Sequence, residues 1–141
     1  MTNKEKIAWL GRYKAALRQE KALMEEVAAL RADAERVSAG LAGMPCAPGP
    51  NIDRLPRAVE RINAAQKELA SQVERCLDTR AEVLHALATV EYGAGREVLR
   101  RRYLLGQTAE QVGAVLCVVP RRVQQMQARA LSELKIEEKD S

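Results

Sequence analysis

The side chains of this sequence with chemistry to offer gather toward one end, and they are hydrogen-bond donors and amides rather than acids, bases or nucleophiles. Arg100, Arg101 and Arg102 are consecutive, and Arg121, Arg122, Gln124, Gln125 and Arg129 follow them. A guanidinium fork fits paired acceptors on a phosphate or a guanine edge, and a glutamine amide pairs with adenine through one donor and one acceptor. Across residues 96–134 there are seven Arg and three Glu, a surplus of four that equals the net charge of +4 of the whole 141-residue chain. The positive charge therefore belongs to one segment. A total of +4 does not by itself point to nucleic acid; its placement does.

Other chemistries lack their parts. His85 is the only histidine and is expected on the surface, so a metal site has too few ligands and none is predicted. No Ser/His/Asp or Cys/His set can be assembled, and the chain reads as a non-enzyme. The G-A-G at 93–95 follows no strand and lacks the longer phosphate-loop fingerprint, so no cofactor is expected. Cys46, Cys76 and Cys117 are odd in number and form no C-x-x-C pair, which predicts reduced thiols and a cytoplasmic protein. The opening M-T-N-K-E-K-I-A-W-L-G-R-Y-K-A-A-L has no leader-like apolar core, and no stretch is apolar enough to span a membrane.

The elements that must position the arginines are helices. Phe is absent and aromatics make up only 3% of a chain that is 47% hydrophobic, so the core must be Leu, Val and Ala. Residues 96–105 predict a first short helix closed by Gly106. Thr108 and Gln111 form a Thr-x-x-Gln capping box for a second, T-A-E-Q-V-G-A-V-L. Cys117-Val118-Val119 is a turn, and Pro120 opens a third helix at the position where its missing N–H costs nothing. With Val123 and Met126 facing inward, Arg121, Arg122, Gln124 and Gln125 face out.

Upstream, two long helices are expected. Apolar residues at Ile7, Leu10, Leu17, Met24, Val27, Leu30, Val37 and Leu41 predict one over 3–42, about 60 Å long. The Pro/Gly-rich stretch 43–51 must end it. A second seam runs from 56 to 90 through Val59, Ile62, Gln66, Leu69, Val73, Cys76, Arg80, Val83, Leu87 and Val90, with Gln66 and Arg80 as polar interruptions. The simplest fold is an antiparallel coiled-coil hairpin, residues 1–92, with Trp9 at its end. Leu23, Leu30, Ala65 and Leu84 widen the apolar face, so the hairpin is expected to form a homodimer or higher oligomer. Residues 91–96, E-Y-G-A-G-R, read as a hinge before a separate domain at 96–136, and the tail I-E-E-K-D-S reads as frayed. The fold class is all-α.

Residues 96–134 resemble the fourth region of bacterial sigma factors without a gap. The resemblance rests on R-E-V-L-R-x-R-Y, Gly106-x-Thr108, Val112 followed by a small residue, Leu116, Val118, and V-x-Q-M-x-x-x-A-L at 123–131. It covers about 39 of the 141 residues. The whole chain, with its W-L-G-R-Y-K start, is also similar to small phage and prophage proteins of Gram-positive bacteria, some of which are taken to activate late phage transcription. The resemblance implies a helix-turn-helix transcription regulator on double-stranded DNA, with RNA polymerase as a further partner through the first helix. Arg121, Arg122, Gln124 and Gln125 would then enter the major groove, while Arg129, Thr108 and Arg100 to Arg102 meet the backbone. Two departures stand out. Cys117 replaces a turn residue that is often Gly, at about 1 kcal/mol if the left-handed turn is kept. Val119 replaces the hydroxyl that usually caps the recognition helix, at about 1 kcal/mol. Two other classes compete: a small terminase-like DNA-packaging subunit, and a protein–protein adaptor with a degenerate helix-turn-helix.

Overall fold

A computed structural model describes residues 1–42 and 54–137, with the side chains of 40–42 left aside. The Pro/Gly break at 43–51 and the last four residues lie outside the described residues. The described residues are helical and contain no strand: α1 (Asn3–Leu10), α2 (Arg12–Ala42), α3 (Arg54–Leu87), α4 (Gly93–Tyr103), α5 (Ala109–Leu116) and α6 (Pro120–Glu133). α1 and α2 are one helix interrupted at Gly11. The Gly11 N–H still donates to the Ile7 carbonyl (3.0 Å) and its own carbonyl still accepts from Ala15 (3.1 Å). Thr2 starts α1 with a capping box on Glu5.

The chain forms two compact units. One is the described part of Arg18–Arg75; the other joins Met1–Leu17 to the described part of Cys76–Ser141. In the first, α2 withdraws Glu20, Leu23, Val27, Leu30, Ala34 and Val37 from solvent, in steps of three and four. Leu23 takes the place expected of Met24, which is 55% exposed. On α3 the deepest positions in this unit are Ala65 and Gln72, while Gln66 and Val73 are half covered. Val27, Leu30, Val37, Ile62, Leu69 and Cys76 are covered where expected, but Leu23, Ala65 and Gln72 take the places expected of Met24, Gln66 and Val73, and the buried polar side chain is Gln72. Pattern reading misses Ala65 and Gln72 because one is small and the other polar, so neither carries a strong apolar signal.

The second unit has a continuous core of Leu10, Val83, Ala86, Leu87, Val90, Leu99, Ala130, Leu131 and Leu134, with Trp9, Tyr13 and Tyr92 packed against it. Fully burying a Leu or Val stabilises by about 1.5–3 kcal/mol, so α1, the end of α3, α4 and α6 hold one another in place. The segment expected as a hinge, 91–96, is packed and hydrogen-bonded within this unit. Gly93 and Gly95 lie in the first turn of α4. The Arg96 guanidinium donates twice to the Val90 carbonyl (3.0 and 2.6 Å), and the Tyr92 N–H donates to Glu133 on α6 (3.1 Å). Gly95 is there for close packing, since a Cβ would lie 2.6 Å from the Tyr92 ring and 2.8 Å from the Ala130 methyl. The boundary expected between 92 and 96 thus does not separate compact units: residues 1–17 and 76–90 belong with the C-terminal helices. Just before the tail, Leu134 is buried and the Lys135 N–H donates to Thr89 Oγ1 (2.9 Å); Ile136, the first residue of the tail, packs against the core, and its last four residues lie outside the described residues.

Candidate nucleic-acid interface

The capping box that opens α5 is complete. Thr108 Oγ1 accepts from the Gln111 N–H (3.2 Å), and Gln111 Oε1 accepts from the Thr108 N–H (2.9 Å). The turn after α5 closes tightly, because the Val118 N–H donates to the Gly113 carbonyl (2.9 Å). A Cβ on Gly113 would stand 2.6 Å from the Val118 carbonyl oxygen, so only glycine admits this turn. Cys117 occupies the left-handed region (φ 59°, ψ 41°), so the turn keeps its shape and carries the cost of a side chain there. Val119 is the N-cap of α6 with no side-chain cap, and it is 65% exposed. Its carbonyl accepts from the N–H groups of Arg122 (2.9 Å) and Val123 (3.2 Å).

α6 is anchored along its inner face. Val123 and Met126 join Val98 of α4 and Val112 of α5 in a second buried cluster, and Ala130 and Leu131 join the main core. A rotation of about 100° per residue then places Arg121 and Gln125 opposite the buried face, Gln124 on one flank, and Arg122 and Arg129 on the other. All five are exposed. The side chains of Arg121, Arg122, Gln124, Gln125 and Arg100 make no hydrogen bond or ion pair among the described residues.

The remaining arginines are engaged. Arg101 Nε pairs with Glu97 (3.1 Å), which offsets its charge. The Arg129 guanidinium stacks on the Tyr92 ring, 4.0 Å from its centroid, so it is not a freely extended side chain. Arg102 Nε donates to Gln127 Oε1 on α6 (3.0 Å), and Gln127 Nε2 donates to the Tyr103 hydroxyl (3.0 Å). Burial pushes the Tyr103 phenol above its ordinary 10.0, against the smaller opposite pull of Arg102, so the phenol keeps its proton. Lys6 Nζ donates to the Leu131 carbonyl (2.7 Å) and satisfies the last turn of α6. Sequence reasoning missed Gln127, Tyr92, Tyr103 and Lys6. These contacts join residues 24 to 125 positions apart, with Tyr92 lying 37 before Arg129. No local pattern announces them.

The site therefore offers an exposed row of donors and amides on a fixed helix. Among the described residues, no group of three or more His, Cys, Asp or Glu is arranged to hold a metal. No helix there is long and apolar enough to cross a membrane. No known protein family, curated protein or solved structure matches this chain.

Proposed function

We propose that this protein is a DNA-binding transcription regulator in which α5, the Cys117 turn and α6 act as a helix-turn-helix and α6 reads the major groove. The observation that carries the reading is the outward row Arg121, Gln124 and Gln125, with Arg122 beside it. These side chains are exposed and unpartnered on a helix whose opposite face is buried at Val123, Met126, Ala130 and Leu131. Arg suits the guanine edge and Gln the adenine edge, and residues early on a recognition helix are the ones that reach bases. The tight Gly113 turn and the capped start of α5 fix the angle between α5 and α6, which such docking needs. The likeness of 96–134 to the fourth region of sigma factors adds a phage-type regulator, with RNA polymerase as a further partner through α4.

The same reading takes α2 and α3 as an antiparallel coiled-coil hairpin that pairs two copies, so that two α6 helices meet two half-sites. Exposed Met24 and Val59 leave apolar surface for such pairing. Selecting bound duplexes from a random pool tests the function directly. Enrichment of one sequence supports a regulator. Binding without enrichment, by a ring-sized particle in solution, supports the packaging alternative. No retained DNA at modest salt supports the adaptor.

A further inference from the structure

The three consecutive arginines of α4 have three different fates. Arg100 is exposed without a partner. Arg101 faces a carboxylate, Glu97, and is partly neutralised. Arg102 is held by a neutral group, the Gln127 amide oxygen on α6, through Nε alone. The amide is itself oriented: a guanidinium only donates, so the oxygen must be the end that faces Arg102, and Nε2 is left to donate to the Tyr103 hydroxyl. The Arg102 Nη hydrogens carry no hydrogen bond among the described residues. An amide holds a guanidinium without cancelling its charge, whereas a carboxylate at the same place would hold it and cancel it. Gln127 follows Gln124 by one helical turn, so Arg102 sits on the Gln124 flank of the outward row.

From this geometry we infer that Gln127 is a positioning residue, which fixes Arg102 as a fully charged clamp for a DNA phosphate alongside α6. The inference rests on the DNA-binding reading. It explains why a polar side chain on the margin of the buried face of α6 is an amide, and it separates Arg102 from its neighbour Arg101 as a source of affinity. A guanidinium already fixed before binding loses less freedom when the phosphate arrives. The contact is to backbone, so it adds affinity without sequence preference.

The test is a double-mutant cycle on the full chain, with duplex affinity measured from low to moderate salt. Arg102→Ala should weaken binding to any duplex and flatten the slope of log K against log salt by about 0.9, the loss of one phosphate contact. Gln127→Ala should weaken binding about three- to tenfold when Arg102 is present and less than twofold when Arg102 is already Ala. Gln127→Glu can still hold Arg102 and can accept from Tyr103, so the protein folds; it should nonetheless flatten the slope much as Arg102→Ala does, because the carboxylate neutralises the clamp. Helicity and Tm are followed for each variant. Equal losses for Gln127→Ala in both backgrounds, or an unchanged slope for Gln127→Glu, would overturn the inference while leaving DNA binding intact. A wild-type chain that binds no duplex would overturn both.

Discussion

Two single residues fix the quality of the turn that carries α6. Cys117 is the only non-glycine described residue with positive φ. Gly there would relieve roughly 1–2 kcal/mol of left-handed strain and give back about half of it as unfolded-chain entropy. Cys117→Gly is therefore expected to raise stability by roughly 0.5–1 kcal/mol, read as a higher urea midpoint with the same slope. Val119→Thr supplies the missing N-cap hydroxyl and should add about 1 kcal/mol, and a second phosphate-facing donor with it. Gly113→Ala is expected to act in the opposite direction. Its methyl meets the backbone carbonyl of Val118 rather than a flexible side chain, so the turn must shift, at a cost of about 1–3 kcal/mol. A Gly113→Ala variant as stable as the parent would mean that the turn is looser than described.

At the scale of elements, the signals that were legible in the sequence are the local ones. Thr108 with Gln111, Gly106 at φ 67°, and Pro120 at the first turn of α6 each act within four residues of a helix end, and each lies where its type demanded. What escaped is long-range. The row of covered residues on α2 and α3 was legible at most of its positions, Val27, Leu30, Val37, Ile62, Leu69 and Cys76 among them, but not at Ala16 and Leu23, which the equally apolar Leu17 and Met24 flank. The glycines at 93 and 95 looked like a hinge because their type permits bending. The Tyr92 ring and Ala130 instead make Gly95 a point of close contact, which no nearby residue reveals. Gly95→Ala should accordingly cost about 1–3 kcal/mol through overpacking, whereas Gly93→Ala, with open space around it, should be neutral or stabilise by a few tenths to about 1 kcal/mol. Equal effects at the two positions, measured by thermal unfolding, would restore the hinge reading. The candidate row was partly legible too. Arg121, Gln124 and Gln125 follow from the inward face of α6, and the i,i+4 spacing of Glu97 and Arg101 hints at their pair, but nothing in the sequence marks Arg129 for the Tyr92 ring.

At the scale of the molecule, the compact unit built on α6 needs both ends of the chain. Leu10 is fully buried among residues of α3, α4 and α6, and Lys6 satisfies the end of α6. Leu10→Ala is expected to cost about 2–5 kcal/mol, and residues 96–136 expressed alone should show weak helicity, since their partners at Leu10, Val83, Leu87 and Val90 are missing. Fewer than the seven arginines of 96–134 are free to reach a duplex, because Arg96 is tied to the Val90 carbonyl, Arg101 is paired with Glu97 and Arg129 is stacked on Tyr92. With Arg100, Arg102, Arg121 and Arg122 on phosphates or bases, the salt slope of duplex binding should be about −3 to −4. The central claim, that α6 reads DNA sequence, is tested most directly by the affinities of the parent and Arg121→Ala for a selected duplex and an unrelated one, at one salt concentration and with helicity matched. The account predicts a loss of about 1–3 kcal/mol on the selected duplex and little on the other. Equal losses on the two duplexes, or no preference in the parent, would contradict it.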